Sequence, residues 1–495
     1  MLFRSDALMG HHLAASVIEA SKPVVHGLLI NGEWIIGDGP RITVRDKYLL
    51  QPYATVTTAD NKQIKLAVDA AHSAFISRKM APYDRGVVLD KAAQIMQRRT
   101  SEFIQAMQSE AGFTESDASG EVNRCIQTIR LSAEEARRLS GDVIPMSGAP
   151  GAAGRIGFTM RVPLGVIAAI TPFNSPLNTV AHKVTPAFAA GNAIILKPSS
   201  FTPITACLFA EVLIEAGIPS GFINVLHGSA DVVKQLQNDE RVRFFAFTGS
   251  TEVGREIQQR AGLRRTQMEL GSIAFTILCD DAKLDAALPK VVNAGFRKAG
   301  QVCTSVQLLL VQETLVDETV RKLVPLVQAL SFGNPHDAKT FVGPVISEDN
   351  AIRIENWINE AIASGAKRLV GGPRIGSVIP PTLLTHISPE MKIGCCEIFG
   401  PVVAIVPFRE LNEAIQRVNS TPYGLATGIF TNRLKDAFDA AQKLEVGGVH
   451  VNETSSSRVD LMPYGGSKES GFGREGPKYA VHEMTEERIV TFTTV

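Results

Sequence analysis

One cysteine of the chain stands where it could act as a nucleophile. In the segment 299–307, AGQVCTSVQ, Cys303 follows a Gly-Gln pair and precedes two small hydroxyl residues. A thiolate can attack an electrophilic carbon, whereas most cysteines pack as small buried hydrophobes. The segment alone leaves both interpretations open. None of the six cysteines has C-x-x-C spacing, so no zinc or redox motif is indicated, and so few cysteines fit a reducing cytosol.

A second chemical feature is a possible anion site at the start of a predicted helix. In FAFTGSTEVGREI an apolar strand ends at Thr248, Gly249 permits a tight turn and Ser250 opens the helix. Free N–H groups at a helix start bind anions such as a pyrophosphate, although Ser250 could equally be an ordinary N-cap. Lys197, in ILKPSS, ends another strand and could bond ribose hydroxyls or remain solvated. GFGREG, at 471–476, follows no apolar strand and is a weak dinucleotide motif.

These residues lie in a region where strands and helices alternate. Between 164 and 270 the apolar runs GVIAAITP, NAIILKPS, GFINVLHG, VRFFAFTGS and RTQMELGS are separated by helical segments. Continuous apolar runs are typical of strands buried on both faces, so we predict a parallel, doubly wound sheet. The apolar spacing over 62–139 predicts long helices, HGLLINGEW predicts a hairpin at Asn31-Gly32, and 272–450 forms a second α/β stretch.

Composition restricts the class of protein. The chain has 495 residues, of which 50 are Lys or Arg and 50 are Asp or Glu, so the formal net charge is zero. A nucleic-acid-binding protein usually carries a basic excess, and no apolar run reaches the roughly 18–20 residues of a membrane helix. The first 22 residues lack the apolar core of a secretory signal. We therefore expect a cytoplasmic protein with a loosely packed N-terminal arm, no nucleic-acid partner and no membrane partner.

Eight motifs, in their order and spacing, resemble those of the aldehyde dehydrogenase superfamily in its hydrolytic, NAD(P)-dependent form. They are TPFNSPLN, ILKPSS, FTGSTEVG, MELGS, GQVCTS, EIFGPV, NSTPYGLA and MPYGGSKESGFGREG, and the likeness runs from INGEW to the C-terminus. The resemblance implies oxidation of an aldehyde to a carboxylic acid. It also implies an α/β fold with a Rossmann-like parallel-sheet cofactor domain, a second α/β catalytic domain and a β-ribbon oligomerisation element.

The resemblance implies catalytic roles for five residues. Cys303 would attack the aldehyde to form a hemithioacetal and then a thioester, while the Asn174 amide and the Cys303 N–H hold the oxyanion. Glu269 would activate water to hydrolyse the thioester, with a pKa raised by partial burial. Lys183 and Glu475 would relay protons. The structural alternatives are a turn residue for Asn174, a solvent-facing strand end for Glu269, and an ion pair for Lys183 and Glu475.

The resemblance also implies a cleft for NAD or NADP. Lys197 and Ser200 would meet the adenosine ribose, Ser250 and Gly249 the pyrophosphate, and Glu397 the nicotinamide ribose. Backbone groups and one packed ring complete the cleft, at Ile170, Thr171, Leu270 and Phe399. Ser200 replaces the Glu of many NAD-specific relatives. Because this removes a charge that repels a 2′-phosphate, we predict dual use or NADP preference.

Three residues are candidates for contact with the substrate. In the family that the chain resembles, an aromatic residue commonly stands at the position of Ser175. The same resemblance implies that Arg458 falls at the substrate mouth and that Arg124 lies on a helix near the entrance. A guanidinium suits a carboxylate, sulfonate or phosphonate, although either arginine could instead pair with Asp460 or Glu121. The likeness is greatest to the lactaldehyde, glyceraldehyde and succinate-semialdehyde group. We therefore predict a short polar or anionic aliphatic aldehyde.

Other functions stay open at this stage. They are oxidation of an aromatic aldehyde, acylating or esterase use of Cys303, and a non-enzymatic scaffold on the same fold. The expected domains are a cofactor domain at 1–139 and 160–269, a catalytic domain at 270–470, and an oligomerisation ribbon with a C-terminal arm at 140–159 and 471–495. The last strand, ERIVTFTTV, is apolar and alternating, so an unpaired edge would favour partner pairing. A homodimer and a homotetramer are both compatible with this.

Overall fold

The structure is a computed structural model that describes residues 24–493, so the predicted N-terminal arm lies outside the described residues. Its strands are β1 (Val24–His26), β2 (Leu28–Ile30), β3 (Glu33–Ile35), β4 (Arg41–Arg45), β5 (Pro52–Thr57), β6 (Val143–Ile144), β7 (Arg155–Pro163), β8 (Val166–Ile170), β9 (Ala193–Lys197), β10 (Ile223–Val225), β11 (Val242–Thr248), β12 (Arg265–Glu269), β13 (Ala274–Leu278), β14 (Val306–Gln312), β15 (Lys367–Val370), β16 (Thr382–Thr385), β17 (Val402–Phe408), β18 (Ala426–Phe430), β19 (Gly448–Val451), β20 (Gly471–Phe472) and β21 (Thr485–Thr493).

The helices fill the intervals between these strands. They are α1 (Asn61–Ser77), α2 (Pro82–Arg98), α3 (Thr100–Ala111), α4 (Glu115–Arg138), α5 (Asn178–Ala189), α6 (Pro203–Ala216), α7 (Ala230–Asn238), α8 (Thr251–Ala261), α9 (Leu284–Phe296), α10 (Val316–Gln328), α11 (Glu348–Ala363), α12 (Lys392–Cys395), α13 (Leu411–Asn419), α14 (Leu434–Lys443) and α15 (Pro477–Glu483). The predicted helical region is confirmed as α1 to α4. Within residues 24–493, none of the helices has the length and apolar character needed to span a bilayer.

The first sheet has eight strands in the order β20-β12-β11-β8-β9-β10-β2-β3. The five strands from β12 to β10 run parallel, whereas β20 and β2 pair antiparallel at the two sides of this core. Every side chain of β8 is buried, as a strand covered on both faces requires. The predicted parallel, doubly wound sheet is confirmed.

The hairpin at the N-terminal edge of this sheet is also confirmed. Strands β2 and β3 pair antiparallel, with Leu28 opposite Ile35. The two connecting residues, Asn31 and Gly32, have φ angles of 54° and 87°. An Asn-Gly pair favours this turn because both positions need a positive φ, which asparagine tolerates and glycine adopts freely.

The strand order of the first sheet creates a switch point between β8 and β11. From β8 the chain continues to β9 and β10 on one side, and then crosses to build β11 and β12 on the other. Ligands of doubly wound sheets bind beyond the carboxyl ends of the strands at such a point. Lys197, Thr248 and Glu269 end β9, β11 and β12, and Thr171 follows β8, so all four lie at this edge.

The second sheet has seven strands in the order β15-β16-β17-β14-β13-β18-β19. Its strands run parallel except for β15, which pairs antiparallel with β16 at one edge. This sheet has its own buried cluster, distinct from the core of the first sheet. The predicted second α/β stretch is therefore confirmed.

Two smaller sheets complete the fold, in the orders β1-β5-β4 and β21-β7-β6. In the latter, β21 pairs antiparallel with β7 of the same chain over nine residue pairs, from Thr485 opposite Pro163 to Thr493 opposite Arg155. Part of the predicted C-terminal arm lies elsewhere, because β20 joins the first sheet and α15 packs against α5. The predicted domain boundaries stay a prediction.

Candidate active site

Cys303 lies on an irregular segment between α9 and β14. Lys298 and Ala299 have φ angles of 52°, and Gly300 has a φ of 69°, so three residues in succession adopt the left-handed conformation. A Cβ atom at position 300 would lie 2.1 Å from the carbonyl oxygen of Gly400. Only glycine therefore fits in the Gly-Gln pair that precedes the cysteine.

The Cys303 thiol is connected to Glu269 through the hydroxyl of Tyr464. The Cys303 Sγ lies 2.7 Å from the Tyr464 hydroxyl oxygen, and that hydroxyl donates to Glu269 Oε1 at 3.3 Å. Burial, together with the Glu269 charge, raises the pKa of the Cys303 thiol. A half-buried thiol in contact with a carboxylate can become a nucleophile once its proton is taken away.

Glu269 ends β12 inside the protein. Its relative exposure is 3%, so the interpretation as a solvent-facing strand-end acid is wrong. Burial, followed by the negative charge of Glu475, raises the pKa of Glu269 to about 7. A carboxylate with a pKa close to neutral pH can accept and release protons under working conditions.

Asn174 and Ser175 lie on the loop between β8 and α5, which a buried carboxylate holds in place. Glu121 Oε1 accepts a hydrogen bond from Ser175 Oγ at 2.6 Å and from the Asn178 N–H at 2.9 Å. Lys298, from the segment before Cys303, forms a buried ion pair with Glu121 and donates to the Asn174 carbonyl oxygen at 3.3 Å. The asparagine loop and the cysteine segment are thus fixed to the same pair of charges.

Lys183 and Glu475 form a buried ion pair at 3.0 Å, as the structural alternative proposed. Glu475 also accepts from Arg458 at 3.1 Å and from the Thr248 hydroxyl at 3.2 Å. Although burial opposes it, the charges of Lys183 and Arg458 hold the pKa of Glu475 well below its usual range. Glu475 therefore stays ionised at neutral pH, and its charge acts on Glu269 next to it.

The predicted cofactor residues line one cleft of about 550 Å³ at the switch point of the first sheet. All nine of them contribute: Ile170, Thr171, Lys197, Ser200, Gly249, Ser250, Leu270, Glu397 and Phe399. Cys303, Glu269 and Asn174 lie on the lining of the same cleft. The volume falls within the range of roughly 300–1,000 Å³ that is usual for small-molecule sites.

The cleft contains hydrogen-bonding and ionisable groups that a ligand could contact. The Thr171 Oγ1 is buried and has no hydrogen-bond partner among the described residues. Burial lowers the pKa of Lys197 to about 8 and raises that of Glu397 to about 8. Ser250 accepts from the Val253 N–H at 3.4 Å, so it is the N-cap of α8 and also faces the cleft. A bound nucleotide would supply partners for these groups, so the residues fit NAD or NADP.

The predicted substrate residues line a second, smaller cavity of about 50 Å³, on the lining of which Cys303, Glu269 and Asn174 also lie. Ser175, Arg124 and Arg458 all contribute to it. Arg124 forms an ion pair with Asp460 at 2.7 Å, as the alternative proposed. Arg458 lies over the Tyr464 ring, with its guanidinium carbon 3.7 Å from the ring centre, and pairs with Glu475. Both arginines therefore already have a carboxylate partner.

Sequence reasoning missed a third arginine of this cavity. Arg297 lines the cavity, and its Nη2 donates to the Ser456 hydroxyl at 2.7 Å. Among the described residues no carboxylate lies within 4 Å of its guanidinium, in contrast to Arg124 and Arg458. The sequence feature that could have indicated Arg297 is its position six residues before Cys303.

Tyr464 was also missed, although its motif was recognised. The sequence gives no sign that its hydroxyl meets Cys303, because 161 positions separate the two residues. Phe173, next to Asn174, packs edge-on against Phe399 with ring centres 5.7 Å apart and also lines the large cleft. The sequence feature that could have indicated Phe173 is its place within the motif TPFNSP.

The arrangement agrees with comparisons to known proteins. A profile described as the Aldehyde dehydrogenase family matches residues 34–490. A protein named 3-sulfolactaldehyde dehydrogenase, from Priestia aryabhattai, is 45% identical over 466 residues, which cover 94% of this chain and 97% of that protein.

Two solved structures are similar over nearly their whole length. Aldehyde dehydrogenase 21 from Physcomitrella patens, in complex with the reaction product succinate, has a TM-score of 0.93 and 38% identity, covering 96% of this chain and 99% of that one. A glyceraldehyde-3-phosphate dehydrogenase from Methanocaldococcus jannaschii, complexed with NADP, has a TM-score of 0.88 and 36% identity, covering 92% and 99%.

Proposed function

The chain belongs to the aldehyde dehydrogenase family and is an NAD(P)-dependent aldehyde dehydrogenase, and we propose that it oxidises a short aldehyde carrying an anionic group, with Cys303 as nucleophile. The observation that carries this proposal is the position of Cys303 and Glu269 on the linings of both the nucleotide cleft and the arginine-rich cavity. A substrate in the smaller cavity can then present its carbonyl carbon to the thiol and to the cofactor at once.

The first half of the reaction forms a covalent bond to the protein. The Cys303 thiolate attacks the carbonyl carbon, and the side-chain amide of Asn174 with the Cys303 N–H hold the negative oxygen. One such donor contributes about 2.7–4 kcal/mol in comparable systems. Bound NAD or NADP supplies the acceptor for the hydride that leaves this carbon. The product on Cys303 is a thioester.

The second half of the reaction is hydrolysis of the thioester. Glu269 removes a proton from a water molecule, and the resulting hydroxide attacks the thioester carbon. The C–S bond then breaks, which releases the carboxylic acid and the Cys303 thiolate. With a pKa of about 7, Glu269 is partly ionised at neutral pH and can perform this step. The buried pair of Lys183 and Glu475 sets the charge beside it and provides polar groups through which the proton leaves the site.

The cofactor pocket supports use of NADP. Ser200 stands on the cleft lining with an uncharged hydroxyl, and Lys197 supplies a cation on the same lining. A 2′-phosphate is repelled by an acid at the ribose end but attracted by a lysine. The similar enzyme from Methanocaldococcus jannaschii was crystallised with NADP, which supports the same preference.

The smaller cavity supports an anionic substrate. Arg297 is the arginine there without a carboxylate partner among the described residues, and a guanidinium binds carboxylate, sulfonate or phosphate with two parallel hydrogen bonds. The named relatives act on or release molecules with such groups: sulfolactaldehyde, succinate and glyceraldehyde 3-phosphate. A cavity of this size suits a short chain.

The test is a survey of aldehydes followed by NAD(P)H absorbance. The panel contains lactaldehyde, glyceraldehyde, succinate semialdehyde, sulfo- and phosphonoaldehydes and benzaldehyde, each with NAD and with NADP. We expect reduction that is fastest with an anionic aldehyde and absent in Cys303→Ala. Turnover that requires CoA would indicate acylating chemistry. Turnover that is fastest with benzaldehyde would indicate an aromatic substrate. No turnover together with an unreactive Cys303 thiol would indicate a non-enzymatic scaffold.

We also propose that the protein is a homo-oligomer assembled through the sheet β21-β7-β6. One face of this sheet carries exposed apolar side chains at Ile156, Phe158, Met160 and Phe492. Strand β21 is an edge strand, and exposed apolar edges are usually covered by a partner. Light scattering of the wild type and of Phe158→Asp would test this, since we expect the variant to dissociate and to show a lower molar mass in solution. A dimer and a tetramer are distinguished by the same measurement.

The proposed location is the cytoplasm. All six cysteines are free, including Cys395 and Cys396, whose sulfur atoms lie 3.8 Å apart. Free thiols are typical of reducing compartments, which supports this location. Fractionation of the cells that produce the protein would test it.

A further inference from the structure

Tyr464 is held rigidly between the two groups that the proposed reaction must connect. Its N–H donates to the Glu475 carbonyl at 3.1 Å, and the Glu475 N–H donates to the Tyr464 carbonyl at 2.6 Å. Its ring lies under the guanidinium of Arg458 at 3.7 Å, and the residue is only 7% exposed. The hydroxyl therefore has little freedom to move away from Cys303 and Glu269.

The hydrogen bonds around this hydroxyl allow a proton to pass in one direction. Either atom can be the donor in the Cys303–Tyr464 contact of 2.7 Å, but when Tyr464 donates to Glu269 Oε1 its oxygen is left to accept the Cys303 S–H. Cys303 also forms a direct hydrogen bond with Glu269, so the experiment below must separate the two routes. A phenol has one proton to donate and lone pairs to accept another. The three groups thus form a chain of donors and acceptors that runs from the thiol to the carboxylate.

We propose that Tyr464 is a further catalytic residue, which relays the Cys303 proton to Glu269 and so produces the thiolate. The S–H bond breaks as its proton moves to the tyrosine oxygen, and the tyrosine O–H breaks as its proton moves to Glu269 Oε1. Cys303 becomes a thiolate, Tyr464 remains a neutral phenol, and Glu269 becomes a neutral acid, which releases this proton from the site before it accepts one from water in the second half of the reaction. During the transfer itself, no proton or charge is gained or lost by the three groups together.

The surroundings make a relay more favourable than a free tyrosinate. Burial, followed by the charges of Cys303 and Glu269, raises the pKa of Tyr464, so the phenol does not ionise at neutral pH. It must accept one proton while it gives up another. Arg458 lies over the ring and lowers the pKa of both neighbours, which stabilises the negative charge wherever it resides. The ionisable groups that face these three residues are Lys183, His182, Arg297, Glu397, Arg458 and Glu475.

The experiment measures how fast Cys303 reacts with iodoacetamide between pH 5 and 10, without aldehyde or NAD(P). The modified Cys303 peptide is quantified by mass spectrometry, and Cys395, which is exposed, serves as an internal reference. The variants are Tyr464→Phe, Glu269→Gln and their combination. Tyr464→Phe keeps the ring under Arg458 and removes one oxygen atom, and a thermal melt checks that it is folded.

We expect each single variant to slow alkylation of Cys303 at pH 7 by roughly a hundredfold, the lower end of what a positioned proton acceptor contributes. The double variant is expected to be no slower than the slower single variant, since both act in one chain of transfer. The matched control is Tyr83→Phe, an exposed tyrosine that also lies near an arginine, which is expected to react like the wild type.

Two results would overturn the relay. One is alkylation of Cys303 at the wild-type rate in either single variant, which would mean that the thiol loses its proton by another route. The other is a double variant whose loss is the product of the two single losses. The inference rests on the proposed role of Cys303, but alkylation needs no substrate. A protein that oxidises no aldehyde of the panel can therefore still pass or fail this test.

Discussion

Removal of the Arg297 guanidinium should lower kcat/KM for anionic aldehydes much more than for neutral ones. Arg297 lines the small cavity, is held by the Ser456 hydroxyl, and lacks a carboxylate partner among the described residues. An anionic group bound there would be a buried, hydrogen-bonded charge pair. Truncating one side of such a pair costs about 2–5 kcal/mol.

This free energy sets the size of the effect. Since about 1.4 kcal/mol corresponds to a factor of ten, Arg297→Ala should lower kcat/KM for an anionic aldehyde by roughly 30- to 4,000-fold. A neutral aldehyde of similar length does not use the guanidinium, so its kcat/KM should change by only a few-fold. The ratio of the two values removes any general effect of the variant on folding or on the thiol.

The assay compares succinate semialdehyde with butanal, both with the better cofactor, in four proteins. They are the wild type, Arg297→Ala, Arg297→Lys and Arg124→Ala. Arg297→Lys keeps the charge but not the planar fork, so we expect an intermediate loss. Arg124→Ala is the matched control, because its guanidinium is already paired with Asp460. An equal loss for both aldehydes in Arg297→Ala, or a selective loss only in Arg124→Ala, would refute the reasoning.

Three further predictions concern the base, the cofactor and the loop. Because Glu269 acts as a base in its ionised form, hydrolysis of the thioester should rise with pH through about 7 and be lost in Glu269→Gln, as single-turnover measurements can show; a pH-independent step would contradict this. Ser200→Glu should lower kcat/KM for NADP at least tenfold while sparing NAD, since the added charge repels the 2′-phosphate. Steady-state kinetics with both cofactors would test this, and an unchanged ratio of the two kcat/KM values would contradict it. Gly300→Ala should lower the free energy of unfolding by about 2–5 kcal/mol, from a left-handed backbone and from overpacking against the Gly400 carbonyl; an unchanged melting temperature would count against it.

The sheet could be predicted from the sequence because its signals are local. Strands buried on both faces read as continuous apolar runs, and β8 and β9 show this plainly. The Asn31-Gly32 turn is likewise encoded by two adjacent residues. What the sequence did not reveal is the ion pair that fixes the cysteine segment. Lys298 and Glu121 are separated by 177 positions, and no local pattern relates them.

The same limit applies to the site. Cys303, Glu269 and Asn174 were predicted because their motifs, taken together in order and spacing, resemble those of one family. The parts that were missed depend on tertiary contacts, such as the hydroxyl of Tyr464 against the thiol and the Arg297 guanidinium, which among the described residues bonds Ser456 and has no carboxylate partner. Composition and periodicity do not describe such contacts, because they depend on loops that the fold brings together from distant parts of the chain.

The antiparallel pairing of β20 with β12 has a consequence for how the protein is made. Strand β20 comes from the last 25 residues of the sequence, yet it forms one edge of a sheet whose opposite edge is β3, near the start of the described residues. A ribosome releases the N-terminal part first, and domains generally fold in that order. Throughout synthesis the first sheet therefore lacks the strand that covers Glu269. A nascent chain can therefore contain the thiol and its base before it contains the strand that pairs beside Glu269.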